Sequence, residues 1–117
     1  MSDSPLNPVD VERHISEVRD RIAKGVRIVT DAEREAKRLR REFDLAFALA
    51  YQAAEGSIVG KKYQAQIDTI AEREAAEDAE IAFNYAERTA WALKDELSAL
   101  QSIGASVRAM YETAGRS

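Results

Sequence analysis

The sequence predicts an all-α protein built as a long antiparallel helical hairpin. Three observations carry this prediction. Both prolines fall within the first eight residues, so nothing after Pro8 contains the strongest helix breaker. Two long stretches set apolar and small residues at helical spacing, one on each side of a single clear turn. Hydrophobic residues make up 45% of the chain and charged residues 32%, the balance of solvated helices with a buried stripe.

Residues 1–7 show no periodicity and read as a flexible N-terminus ahead of one helical domain over 8–113, with 113–117 a flexible C-terminus. Asn7 supplies a capping oxygen, Pro8 suits the first turn, and Asp10 favours the positive helix end. A helix is expected over 8–55. Its apolar and small residues keep a four-three spacing: Val11, Ile15, Val18, Ile22, Gly25, Val29, Ala32, Ala36, Leu39, Phe43, Ala46 and Ala50. That is a 3.5-residue period, the mark of a coiled-coil seam. Gly25 lies on the seam, and Thr30 with Glu33 matches a capping box. The helix is therefore either continuous or broken at 25–30, and a break would turn the hairpin into a three-helix arrangement.

Residues 56–60 are the expected turn, with Gly56 able to take the left-handed conformation and Ser57 able to cap the second helix. That second helix is expected over 61–112. Its stripe reads Ile67, Ala71, Ala75, Ala79, Ala82, Ala86, Ala90, Leu93, Leu97, Leu100, Gly104, Val107 and Tyr111. The mean spacing is about 3.67, an eleven-residue repeat that asks for a different supercoil from the first helix. Folding at Ser57 pairs residues whose numbers add to about 115. Leu97 then meets Val18, Leu100 meets Ile15 and Gly104 meets Val11. Two such arms leave Ile28, Leu45, Phe47, Leu49, Tyr51, Ile70, Ile81, Phe83, Tyr85 and Trp91 off the seam. That surplus predicts a homo-oligomer or a third helical layer.

Little in the chain suggests chemistry. The formal net charge is -4, there is no cysteine, and His14 is the single histidine. Disulfides, thiolate zinc sites and a cysteine nucleophile are excluded. No phosphate loop, dinucleotide fingerprint or nucleophile elbow is present. The expectation is no enzyme, no cofactor, no metal and no small-molecule substrate. With neither a signal-peptide pattern nor an apolar run of about 20 residues, the expected location is cytoplasmic, without membrane attachment.

Local patches are more informative. Arg34 to Arg41 reads Arg-Glu-Ala-Lys-Arg-Leu-Arg-Arg, a net +4. In the hairpin register it lies alongside the acidic stretch 74–81, so cross-helix ion pairs are one reading. Arg34, Lys37, Arg38 and Arg41 also take outer heptad positions, from which they could meet phosphate. Lys61, Lys62 and Tyr63 form a smaller basic-aromatic group of the kind that holds a single strand by charge and stacking. Toward the C-terminus, Ser102, Gly104 and Ser106 make a small-residue face edged by Arg108 and Tyr111. That face serves either intramolecular packing or, with Trp91, an oligomer or partner contact.

The run Leu97-Ser-Ala-Leu-Gln-Ser-Ile-Gly-Ala-Ser-Val-Arg-Ala-Met-Tyr111 resembles the C-terminus of small all-helical proteins of bacteriophages and prophages, particularly those of actinobacteria. Phe43-Asp-Leu-Ala-Phe-Ala-Leu-Ala-Tyr51, with Lys61-Lys62 after it, resembles them too, and the likeness covers most of residues 20–111. Such proteins are often encoded near recombination and replication genes, beside strand-annealing and single-strand binding proteins. The resemblance implies a recombination or replication accessory of mediator type, in the host cell cytoplasm, with no catalytic residues. Its implied partners are single-stranded DNA or a recombination or single-strand binding protein. Two other functions fit the residues: an adaptor or inhibitor that binds a host protein through a helix face, and a purely structural coiled-coil oligomer.

Overall fold

A computed structural model of the chain describes residues 7–115. The expected loose residues 1–6 and 116–117 lie outside that range. Three helices make up the fold: α1, Pro8–Ala53; α2, Ile58–Asp68; and α3, Ile70–Gly115. There is no strand among the described residues. The C-terminal helix runs to Gly115, beyond the expected end at 112.

Local chemistry sets the helix ends. Asn7 caps α1: its side-chain oxygen accepts from the Asp10 amide at 2.9 Å, and its Nδ2 donates to the Asp10 carboxylate at 2.7 Å. Gly56 turns the chain with φ at 110°. Ser57 then caps α2, its hydroxyl accepting from the Gly60 amide at 3.0 Å. α1 continues without a break through residues 25–30, so no third layer forms from residues 8–24. A mid-helix glycine costs only about 1 kcal/mol, less than the seam on both sides of it supplies.

The break that does occur is at Thr69, between α2 and α3. Thr69 has φ −119° and ψ 22°, and its hydroxyl donates to the Ala65 carbonyl at 2.7 Å. Back-bonding of this kind bends helices. The side chain is only 3% exposed, yet polar.

Contacts divide the chain into two compact units. One comprises residues up to Arg27 and from Arg88; the other is Ile28–Glu87. In each, α1 packs antiparallel to its partner. All twelve seam positions read from α1 are buried or half-buried. Across from them, the second stripe differs from expectation. One continuous covered row is Ala65, Thr69, Glu72, Ala76, Ala79, Phe83, Ala86, Ala90, Leu93, Leu97, Leu100, Gly104 and Val107, with Gln66, Ala75, Asn84 and Glu87 half-buried at its flanks. This is again a strict four-three spacing, so the eleven-residue period and the supercoil mismatch are corrected. Ile67, Ala71 and Ala82 face solvent, and Phe83 belongs to the seam. Tyr111 is exposed.

A register in which numbers add to 115 matches each covered α1 seam position to a covered position on the opposing seam. In the first unit these are Val11 with Gly104, Ile15 with Leu100, Val18 with Leu97, Ile22 with Leu93 and Gly25 with Ala90. In the second they run from Val29 with Ala86 to Ala50 with Ala65. The aliphatic cluster of Val11, Ile15 and Val107, with Leu97 and Leu100 packed on it, anchors the first unit. Each such buried side chain contributes about 1.5–3 kcal/mol. The second unit relies on alanines, which bury less but let the helices approach closely.

Candidate nucleic-acid interface

Arg34, Lys37, Arg38 and Arg41 all lie on the exposed outer side of α1 in the second unit, as their heptad positions require. Their charges are largely answered within the helix. Arg34 pairs with Asp31 at 3.2 Å, and Lys37 with Glu33 at 3.7 Å. Arg38 is clamped between Glu35 at 2.6 Å and Glu42 at 2.7 Å. Arg40 pairs with Asp44 at 3.4 Å and lies over the Phe43 ring, 5.7 Å from its centroid. The Arg38 hydrogen bond holds the Glu35 carboxyl below its usual pKa, and the same bond raises that of Arg38. Every ion pair of the run is thus made inside α1; among the described residues none crosses to 74–81. Exposed pairs of this type are worth about 0.2–1 kcal/mol, so phosphate can displace them.

Lys61, Lys62 and Tyr63 occupy the first turns of α2. Lys62 and Tyr63 are exposed, while Lys61 lines a shallow cavity with Phe47, Tyr51 and Gln52. In the register Lys61 is level with about residue 54, some way along from residues 34–41. The separation is roughly 20–30 Å at 1.5 Å per residue. The two basic groups therefore belong to one unit but not to one site.

The C-terminal residues divide between two faces of the first unit. Gly104 is turned into the seam, where a Cβ would lie 3.2 Å from Val11 Cγ1 and 3.7 Å from Ile15 Cδ1. Its role is intramolecular packing, which removes it from any oligomer contact. Arg108 bonds across the helix pair to Glu12 at 2.9 Å. Ser102, Ser106, Trp91 and Tyr111 remain exposed.

A feature missed in the sequence is a groove of about 370 Å³ between α1 and α3 in the second unit. Ala36, Phe43, Ala76 and Phe83 line it, together with three carboxylates and three bases: Glu33, Glu77, Glu80, Lys37, Arg40 and Arg73. The signal for it was the pairing of alanine with alanine, which leaves the flanks of the seam unfilled. No group of three or more potential metal ligands occurs among the described residues. None of their helices is long and apolar enough to cross a membrane. No protein-family model, curated protein or solved structure matches the chain.

Proposed function

We propose that this chain is a non-enzymatic helical scaffold of phage type, an accessory to DNA recombination or replication. It presents DNA, or a protein bound to DNA, to the outer face of α1. The observation that carries this reading is the exposure of Arg34, Lys37, Arg38 and Arg41 on one side of an unbroken helix. Lys62 and Tyr63 add a second, separate contact. The likeness to phage early-region proteins supports the same reading.

The test is fluorescence anisotropy with labelled single-stranded DNA at several salt concentrations, with and without a strand-annealing protein. Binding should weaken as salt rises, with a slope that falls when Arg34 and Arg41 are replaced by glutamine. No binding under either condition contradicts the proposal. A second reading is an adaptor or inhibitor that engages a host protein through a helix face. It is favoured by the exposed Ile81 and Tyr85 of α3 and by the self-neutralised ion pairs of α1. Nuclease-resistant recovery of one host protein by the tagged chain, with no DNA bound, would select it.

A further inference from the structure

We propose that the groove between α1 and α3 in the second unit docks a second copy of this chain, running antiparallel to the first. The order of charges along the groove carries the inference. Glu33 of α1 and Glu80 of α3 share one level of the register. Arg40 and Arg73 share another, seven residues further along, about 10 Å away. Lys37 and Glu77 lie between them, one of each sign. The groove thus has an acidic end, a mixed centre and a basic end, with no net charge.

This order is complementary to itself under one orientation. Laid face to face and antiparallel, the Glu33 level of one copy meets the Arg40 level of the other. Glu80 likewise meets Arg73; at the two-fold axis Lys37 meets Lys37 and Glu77 meets Glu77, so four opposite-charge contacts outnumber two like-charge ones. Laid parallel, glutamates face glutamates and arginines face arginines, which disfavours that arrangement. A twofold interface needs one patch to match itself, and the two charged ends of this patch do. Polyanionic nucleic acid would meet the acidic end, so phosphate is a poorer occupant.

The charges are also available. Arg73, Glu77 and Glu80 have no ion pair among the described residues. Glu33 and Arg40 hold only exposed pairs along their own helix, with Lys37 and Asp44. Between the charges, Ala36, Phe43, Ala76 and Phe83 offer apolar surface that a second copy would cover. The groove shares Lys37 with the proposed DNA face, but the charges that set its polarity, Glu33, Arg40, Arg73 and Glu80, are not among the DNA-contact residues, and the test contains no nucleic acid.

The experiment is the solution mass of the full chain by sedimentation, across concentration and salt. The wild type should sediment as a dimer whose fraction falls as salt rises. R40E/R73E makes both ends of the groove acidic, and E33R/E80R makes both ends basic. Each alone should be monomeric at concentrations where the wild type is dimeric. An equimolar mixture should restore a dimer at least tenfold tighter than either alone. Circular dichroism checks that each variant remains helical. Should a reversal unfold the chain, R40Q/R73Q carries the comparison, with dimerisation about tenfold weaker than wild type. A wild-type monomer at every concentration overturns the proposal. So do dimers indifferent to these substitutions, or a mixture no tighter than its components.

Discussion

Gly104 packs against Val11 so closely that a Cβ on the glycine would lie 3.2 Å from Val11 Cγ1. This contact lies near the open end of the seam of the first unit, beside the buried Val107. Gly104→Ala gains helix propensity of about 1 kcal/mol and loses a comparable amount to crowding, so it should be nearly neutral. Gly104→Leu has no such relief. It should lower stability by about 1–3 kcal/mol in urea unfolding, since Ile15 and Arg108 also border the site.

Gly25 provides the contrast. It lies on the same seam, yet a Cβ there meets nothing within 4 Å. Gly25→Ala should therefore stabilise the protein by about 0.5–1 kcal/mol, read as a rise in melting temperature of several degrees. A fall in melting temperature would show that α1 is not a continuous helix at this point.

Thr69 carries the buried hydroxyl that bonds the Ala65 carbonyl. Thr69→Val keeps the shape and removes the bond. It should cost about 0.5–1.5 kcal/mol by denaturant unfolding, with the helix content little changed. An unchanged unfolding midpoint would mean that the hydroxyl contributes nothing to the bend between α2 and α3.

The solvent-accessible Glu35–Arg38 pair gives a pH dependence of known sign. The folded carboxyl is held below its usual pKa by the Arg38 hydrogen bond. Its contribution is therefore present above the unfolded carboxylate range and lost as pH falls through the folded value. Glu35→Gln should flatten the acid limb of a stability–pH profile slightly and leave the neutral-to-alkaline limb unchanged in shape.

The legibility of this fold tracks side-chain size. The α1 seam was readable at every position because large and small residues keep one period from Val11 to Ala50. The opposing seam was readable from Ala86 to Val107, where leucines mark it. Toward the turn it was misread. There the covered positions hold Ala65, Thr69, Glu72 and Ala76, whereas the larger Ile67, Ile70 and Ile81 face solvent. The expected stripe took Ile67, Ala71 and Ala82, which are exposed, while Ile70 and Ile81 lie off the seam as expected. Glu72 is tolerated because it lies in the first turn of α3, where a carboxylate suits the helix end. The capping box at Thr30 and Glu33 went unused because the seam continues on both sides of it. The outer position of Arg34, Lys37, Arg38 and Arg41 was legible from heptad arithmetic. Their ion pairing within α1 replaced the expected pairing across helices because partners three or four residues away need no long reach.

The register of numbers adding to 115 requires Ala50 to face Ala65 near the turn, and it stands or falls on that pairing. Natural cysteine is absent, so engineered pairs report it cleanly. Ala50→Cys with Ala65→Cys should form a disulfide readily under mild oxidation and remain helical. Ala50→Cys with Ile67→Cys, the pair favoured by the expected stripe, should stay reduced because Ile67 points outward. Preferential oxidation of the Ala50–Ile67 pair would contradict the register and the groove that depends on it.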